Sequence, residues 1–558
     1  MALSSQVGDI RPRGVSIDAR QALPASGAAP SPAQPADSYR PNTVEGANER
    51  LSPYILVPSE QLKKEGGTSK LIEKLRRLNV LVGDQIPLLG AFTATLNDEA
   101  RRKVEQAGFK VIPDDQGRFL HPEPWERSPN EVPHDVHGRA EVSPRPPLSA
   151  PRFFSPLTQK FTGKGIGIAV VDTGIYPHPD FNNPYNRIVA FKDFVNDRPL
   201  PYDDNGHGSL VAGNAAGNGF LSRGLYRGPA PDANLIGVKV LGRSGNGQTS
   251  NILKGINWVV ENKDRYNIRV LNLSLGNSAR PANPADDPIQ QAVEKAVKAG
   301  IVVVVSAGNE GPYEGTLSAP ADNPNVITVG AVDDRNTPDR SDDRIPDFSS
   351  RGWRDGRTPD VVAPGEAIIG PSVPNSPTEE TALKYSQVHQ TLGWMQNMED
   401  KDLVQIPEDT LRLIGLNSES IRRFKASPYL ARMELNRLLE ATERLPIIDS
   451  KYVGMPGTSL AAPIVSGVVA QLLEANPSLT PQEVKEILRA TAVPLEGYGV
   501  EAQGAGAINP HAALELALKQ KQQAQGPRQM TIDDFGVSSN PGGARPAPTT
   551  RADLEAVR

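Results

Sequence analysis

Cysteine is absent from the 558-residue chain, which excludes a disulfide framework, a cysteine nucleophile and thiolate metal ligands. An excess of one charge sign is also missing: 60 Lys and Arg residues face 65 Asp and Glu, a formal net charge of -5. Nothing in that balance would attract a polyanion or an anionic bilayer, so no nucleic acid and no membrane is expected as a partner. Long apolar runs are lacking too. No stretch approaches the roughly 20 apolar residues of a membrane span, and MALSSQVGDIRPRG has no apolar core of the kind that marks a secretory leader. A cytoplasmic location is the expectation that follows. What the chain does have is 38% hydrophobic residues, gathered in short runs rich in Val and Ile, enough for at least one buried core.

Changes of texture divide the chain. Residues 1–51, rich in Ala, Pro and Ser, read as a disordered leader, because such a composition cannot offset the entropy of ordering. From Tyr54 the pattern turns regular, with YILVP, AFTATL and FKVIP as strands, SKLIEKLRRL as a helix and NDEARRKVEQAG as a helix capped by Asn97. Residues 52–121 thus form a small α+β domain, and the proline-rich residues 122–150 an exposed connector open to cleavage. Residues 151–520 alternate the apolar runs GIGIAVV, LIGVKV, VLNLSL, IVVVVS and VITVGAV with helices near 248–262, 287–299, 459–475 and 481–491. Strands that are apolar throughout and interleaved with helices predict an α/β fold: a mostly parallel sheet with helices on both faces. Chemistry in such folds lies beyond the carboxyl ends of the strands. Within this body residues 371–451 read as a helical insert, and residues 521–558, rich in Gln, Pro, Gly and Arg, as a disordered tail.

Three short segments carry candidate chemistry. Asp172 ends the run GIGIAVVDTG at the expected active edge of the sheet, although alone it is as readily a turn-forming Asp before Thr-Gly. His207 stands between glycines in DDNGHGSLVAG, where a short helix begins. Ser459 lies in GMPGTSLAAPIVSGVVAQLL at the mouth of a helix, where an N-cap serine is the commoner explanation for it alone. Together they are far more specific, since Asp, His, Ser is one of a few chain orders that yield the same triad geometry. A serine hydroxyl is a poor nucleophile at neutral pH. His207 would take its proton during attack and pass it to the leaving amine, while Asp172 fixes the imidazole tautomer and stabilises the imidazolium.

DTG, HG-x-x-VAG and GTS-x-A-x-P are also the motifs of the subtilisin-like serine peptidases, and over roughly residues 151–517 the chain resembles that family. The resemblance implies a serine endopeptidase that cleaves polypeptides through an Asp-His-Ser triad and an acyl-enzyme. It implies Asn309, in IVVVVSAGNEGP, as the oxyanion-hole side chain, with the Ser459 backbone N–H as second donor; a Gly-Asn-Glu-Gly turn is the structural alternative. The segment Leu271–Asn277 would pair with extended substrate, with Ser274, Leu275 and Gly276 on one side of the S1 pocket and Ala307, Gly308 and Glu310 on the other. The first wall carries no fixed charge, which points to large apolar side chains, and Glu310 at the pocket base could admit a basic one. Two positions depart from the pattern: Leu210 replaces the second histidine of HGTHVAG, and Leu460 replaces the methionine after the nucleophile. Neither is a proton-transfer group.

The resemblance implies no cofactor for the chemistry. It does imply a structural Ca2+ ion at Asp180 of PHPDF, but GNGFLSRGLYRG departs from the asparagine-rich calcium loop. YRGPAPDANLIGVKVL and IRVLNLSLGN are most similar to the bacterial subgroup lacking a secretion signal. Residues 52–121 look like the family's pro-segment, an intramolecular inhibitor removed when a zymogen processes itself; an unrelated α+β module is the alternative. The insert stands just before Ser459, as a lid or substrate-selecting module or as a packing elaboration. The rival functions are a catalytically silent binding protein held shut by its pro-segment and an esterase using the same triad. Retention of Asp172, His207, Ser459 and Asn309 argues against the first, and the lack of a G-x-S-x-G elbow against the second.

Overall fold

The computed structural model describes residues 51–118 except 115, 155–276, 287–442 except 336, 338 and 367, and 451–524. The expected leader and connector, Asn277 and the tail beyond residue 524 lie outside the described residues.

Seven parallel strands form the centre. In spatial order they are Val361–Pro364, Ile327–Val332, Val302–Ser306, Ile268–Leu273, Gly167–Asp172, Asn234–Lys239 and Ile188–Asp193. Successive side chains on a strand face opposite ways, so a strand buried on both sides must be apolar throughout. Gly167–Asp172 and Val302–Ser306 obey this. Ile168, Val170, Val302 and Val304 join one core cluster, with the helices His207–Ala216, Thr458–Ala475 and Pro481–Thr491. Ala169, Val171, Val303 and Val305 join the other, with Thr249–Asn262 and Pro288–Lys298. Helices thus cover both faces. Contrary to the expectation that no stretch approaches a membrane span, one helix among the described residues, Thr458–Ala475, is long and apolar enough to cross a membrane. Its apolar character serves burial, for 94% of it is buried in this core. The last helix, Pro510–Ala524, runs past the residue at which the tail was expected to begin.

The sheet reverses its winding between Gly167–Asp172 and Ile268–Leu273: the next two strands in the chain lie on one side and the later ones on the other. Crevices outside the carboxyl ends of strands open at such a point. Asp172, Ser274 and the loop after Ser306 all emerge there.

The N-terminal unit has a four-stranded antiparallel sheet in the order Val82–Ile86, Ala91–Leu96, Ser52–Pro58, Phe109–Pro113. One face is closed by Thr68–Arg77 and Asp98–Gln106 through Leu56, Leu75, Phe92 and Val104. Asn97 caps the second helix, its side chain accepting from the Ala100 N–H at 2.8 Å. Ile55, Ile86 and Leu89, on the other side, join the cluster beneath Thr249–Asn262, each withdrawing a side chain worth about 1.5–3 kcal/mol from water. Polar contacts complete the seam: the Leu88 N–H donates to Asn257 Oδ1 at 2.7 Å, and the Ser250 N–H to Asp114 Oδ1 at 2.9 Å. Gln116–Arg118 then pairs antiparallel with Asn246–Gln248 of the main body.

The insert springs from a second hairpin. Ile368–Pro371 pairs antiparallel with Tyr452–Met455, and the Ser372 N–H donates to the Lys451 carbonyl at 2.9 Å, so the chain leaves and re-enters the body at adjacent points. Between them Pro377–Gln396, Asp400–Leu403, Glu408–Leu413, Ser418–Ala426 and Pro428–Thr442 build a helical module around Leu392, Met395, Leu411, Phe424 and Leu435.

Candidate active site

Asp172 sits at the end of its strand, fully buried, and His207 is the first residue of His207–Ala216. The two meet at 2.8 Å between His207 Nδ1 and Asp172 Oδ1, and Asp172 Oδ1 also accepts from the Thr173 N–H at 2.7 Å. A carboxylate bound to Nδ1 orients the ring and leaves Nε2 as the proton-accepting nitrogen. Ser459, 5% exposed, is the second residue of Thr458–Ala475 and shares a surface recess with His207. Residues far apart in the chain are thereby brought to one crevice.

The first N–H groups of a helix have no partner within it. In Thr458–Ala475 the preceding Gly457 supplies no side-chain cap, and Asn309 does so instead. Its Oδ1 accepts from the Thr458 N–H at 3.0 Å and from Thr458 Oγ1 at 2.9 Å, which fixes the amide with Nδ2 turned the other way. A Cβ placed on Gly457, whose φ is +150°, would lie 3.4 Å from Asn309 Nδ2 and 3.8 Å from the Ser459 nitrogen. Glycine therefore keeps open a space flanked by two N–H donors, a geometry suited to an oxyanion.

The expected substrate-binding residues divide. The Ser274 hydroxyl turns inward and donates to the Ser459 carbonyl at 2.7 Å, while Leu275 is fully buried in a core cluster. With Gly276 these residues have mainly backbone to present to a ligand. Gly308 donates its N–H to Thr458 Oγ1 at 3.2 Å, Ala307 is buried, and half-buried Glu310 donates its N–H to Ser350 Oγ at 3.0 Å.

Sequence reasoning passed over Asp203. Its Oδ1 accepts from Thr173 Oγ1 at 2.9 Å, the Asn205 N–H at 3.0 Å and the Gly206 N–H at 2.8 Å. Its Oδ2 accepts from the Ser209 N–H at 2.9 Å and Ser209 Oγ at 2.7 Å. This buried carboxylate gathers the turn before His207 and the first turn of its helix into one unit. The available signal was an acidic residue just ahead of a helix start, where unpaired N–H groups favour a carboxylate.

Asp180 is fully buried, and its carboxylate already has donors: Tyr452 Oη at 2.9 and 3.0 Å and the Leu221 N–H at 3.1 Å. Burial, together with that carboxylate, pushes the Tyr452 hydroxyl well above the ordinary phenol range, so it stays a donor. These two donors engage the oxygens of Asp180 that a cation would share.

Comparison with known proteins agrees with this architecture. The model of the Subtilase family matches residues 163–526. The chain is 39% identical over 357 residues to the Serine protease AprX of Bacillus subtilis (strain 168), covering 63% of this chain and 66% of that protein. It is 25% identical over 536 residues to the Minor extracellular protease Vpr of the same organism, covering 79% of this chain and 64% of that one. The chain therefore spans just under two thirds of the length of these relatives. The crystal structure of fervidolysin from Fervidobacterium pennivorans shares the fold, with a TM-score of 0.53 at 20% identity, over 85% of this chain and 62% of that one. These matches correct the expected cytoplasmic location: Vpr is by its name an extracellular protease, and a first segment without an apolar run does not decide where a chain resides. They reach the family without separating out a subgroup. By a match that covers most of its length, the chain belongs to the subtilase family.

Proposed function

We propose that this chain is a serine endopeptidase that hydrolyses polypeptides, made as a precursor that its own triad processes. The observation that carries the reading is the 2.8 Å contact of His207 with Asp172 beside Ser459, next to the opening above Gly457. Ser459 Oγ attacks the scissile carbonyl as His207 takes its proton. The oxyanion settles between Asn309 Nδ2 and the Ser459 N–H, and His207 then protonates the leaving amine. Water repeats the sequence to release the acyl group. Asp172 stays ionised and holds the ring.

In the same reading the unit at 52–118 is the inhibitor. It is supported by the pairing of Gln116–Arg118 with Asn246–Gln248, because a strand added to that edge takes up the place of an extended substrate. In this reading no calcium is needed to hold the Asp180 carboxylate, which accepts from Tyr452 and Leu221.

The test uses purified wild type and Ser459→Ala with a serine-directed phosphonate and casein. A peptidase labels and digests casein, an esterase only labels, and a silent protein does neither; the variant should lose both activities. Ser459→Ala should also remain at full length, near 59.9 kDa, while wild type yields a shorter form and a fragment. Wild type that stays intact yet fully active would remove the precursor reading and leave the triad standing.

A further inference from the structure

The helical insert does more than hang beside the cleft. Its first turn touches the segment that holds His207: the Thr378 N–H and Oγ1 both donate to the Asn205 carbonyl, at 3.1 and 2.8 Å. Asn205 in turn accepts from the His207 N–H at 3.1 Å through its Oδ1. Arg243 adds a clamp, donating to the Asn375 carbonyl and to Glu380 at 3.0 Å each on the insert side, and to the Asp204 carbonyl at 3.1 Å on the other. The fit is close enough to demand glycine between Asn205 and His207. A Cβ on Gly206 would come within 2.8 Å of both the Thr378 Cβ and Ser376 Oγ.

Thr378 also lines the recess beside the nucleophile, together with His207, Ser459, Leu210, Met455 and Leu460. Which side of the scissile bond this recess serves follows from the chemistry. The leaving amine receives its proton from His207, so the leaving segment lies on the histidine side, whereas the acyl part lies toward Asn309 and the edge Asn246–Gln248. Neither Asn309 nor that edge lines the recess.

We propose that the insert completes the subsite for the residue that follows the scissile bond, and that Thr378 sets the size of side chain admitted there. The site is an apolar recess of Leu210, Met455 and Leu460 closed by a short polar side chain, so it takes small to medium apolar residues. This inference rests on the peptidase reading above and adds to it a specificity-determining residue from outside the sheet-and-helix body.

The experiment compares pairs of quenched fluorescent peptides, identical except for Gly or Leu after the scissile bond, with rates normalised to phosphonate-labelled sites. Thr378→Phe should lower the Leu-to-Gly ratio of kcat/KM by about tenfold or more, and Thr378→Ala should raise it several-fold. Should Thr378→Phe yield no labelled protein, Thr378→Ala decides by the same ratio. A ratio within about twofold of wild type in every variant that labels overturns the proposal while the peptidase reading stands. Wild type that neither labels nor cleaves overturns both.

Discussion

Asp203→Asn tests whether one buried carboxylate holds the His207 turn together. Asparagine keeps the shape and one oxygen, which can still serve Thr173, Asn205 and Gly206. It places an NH2 where Oδ2 received the Ser209 N–H and hydroxyl. The hydroxyl can rotate away, but the backbone N–H cannot, and flipping the amide would set NH2 against three donors instead of two. At least one hydrogen bond to a charged acceptor is lost and the others become neutral, a cost of about 2–4 kcal/mol at a buried site. Denaturant unfolding measures it cleanly in a Ser459→Ala background, where self-digestion is removed. With Ser459 intact, turnover of a small peptide should fall about 10- to 100-fold, because the His207 helix start shifts while substrate contacts remain. An unchanged unfolding midpoint together with unchanged turnover would refute the positioning role.

Asn309→Ala should lower kcat by about 100- to 1,000-fold with KM little altered, and Asn309→Asp, which keeps the acceptor for Thr458 but loses the donor, should fall comparably; unaltered kcat in Asn309→Asp removes the side chain from the oxyanion step. The unfolding midpoint should not respond to EDTA, whereas Tyr452→Phe should cost about 1.5–3 kcal/mol by leaving Asp180 short of a donor; a midpoint that drops in EDTA would show a bound cation contributing to the fold. Burial alone would raise the Asp360 carboxyl, but hydrogen bonds from Arg357 and the charges of Arg357 and Lys485 outweigh it and hold the group below its ordinary range. With the folded value depressed, this stabilisation is present above about pH 4 and is lost as pH falls through the folded value; Asp360→Asn should flatten that acid limb of the stability curve, and an unchanged limb would refute the assignment.

What could be read from the sequence was what depends on near neighbours. The parallel strands announced themselves because burial on both faces leaves no polar position, as in Gly167–Asp172 and Val302–Ser306. Ala91–Leu96 and the Asn97 cap were legible from alternation and from a local hydrogen bond. The edge strand Ile188–Asp193 escaped, since it is half-exposed in its middle and resembles neither a core run nor a clean alternation. Val361–Pro364 is simply too short to carry a pattern. The segments that hold Asp172, His207, Ser459 and Asn309 were legible because each is a distinctive motif. Asp203, in the same DDNGHG segment, was not: its partners are mostly backbone N–H groups, which leave no mark in the side-chain pattern.

Placement of the two appendages depended on contacts that no local pattern encodes. The loop at 242–248 carries Arg243, which grips the insert at Asn375 and Glu380, and Asn246–Gln248, which pairs with the last described strand of the N-terminal unit. It is itself pinned by the Gly242 N–H donating to the Asn246 carbonyl at 2.8 Å, and its Arg243 carbonyl accepts from Asn205 Nδ2 at 2.8 Å. One short loop thus joins the pairing edge, the insert and the residue two positions before His207. Its sequence, GRSGNGQ, reads only as a turn. The place of its arginine and its edge appears once the sheet closes and brings residues 116–118 and 375–380 to opposite ends of the loop, which is why the motif segments were legible in this chain before the contacts of its appendages were.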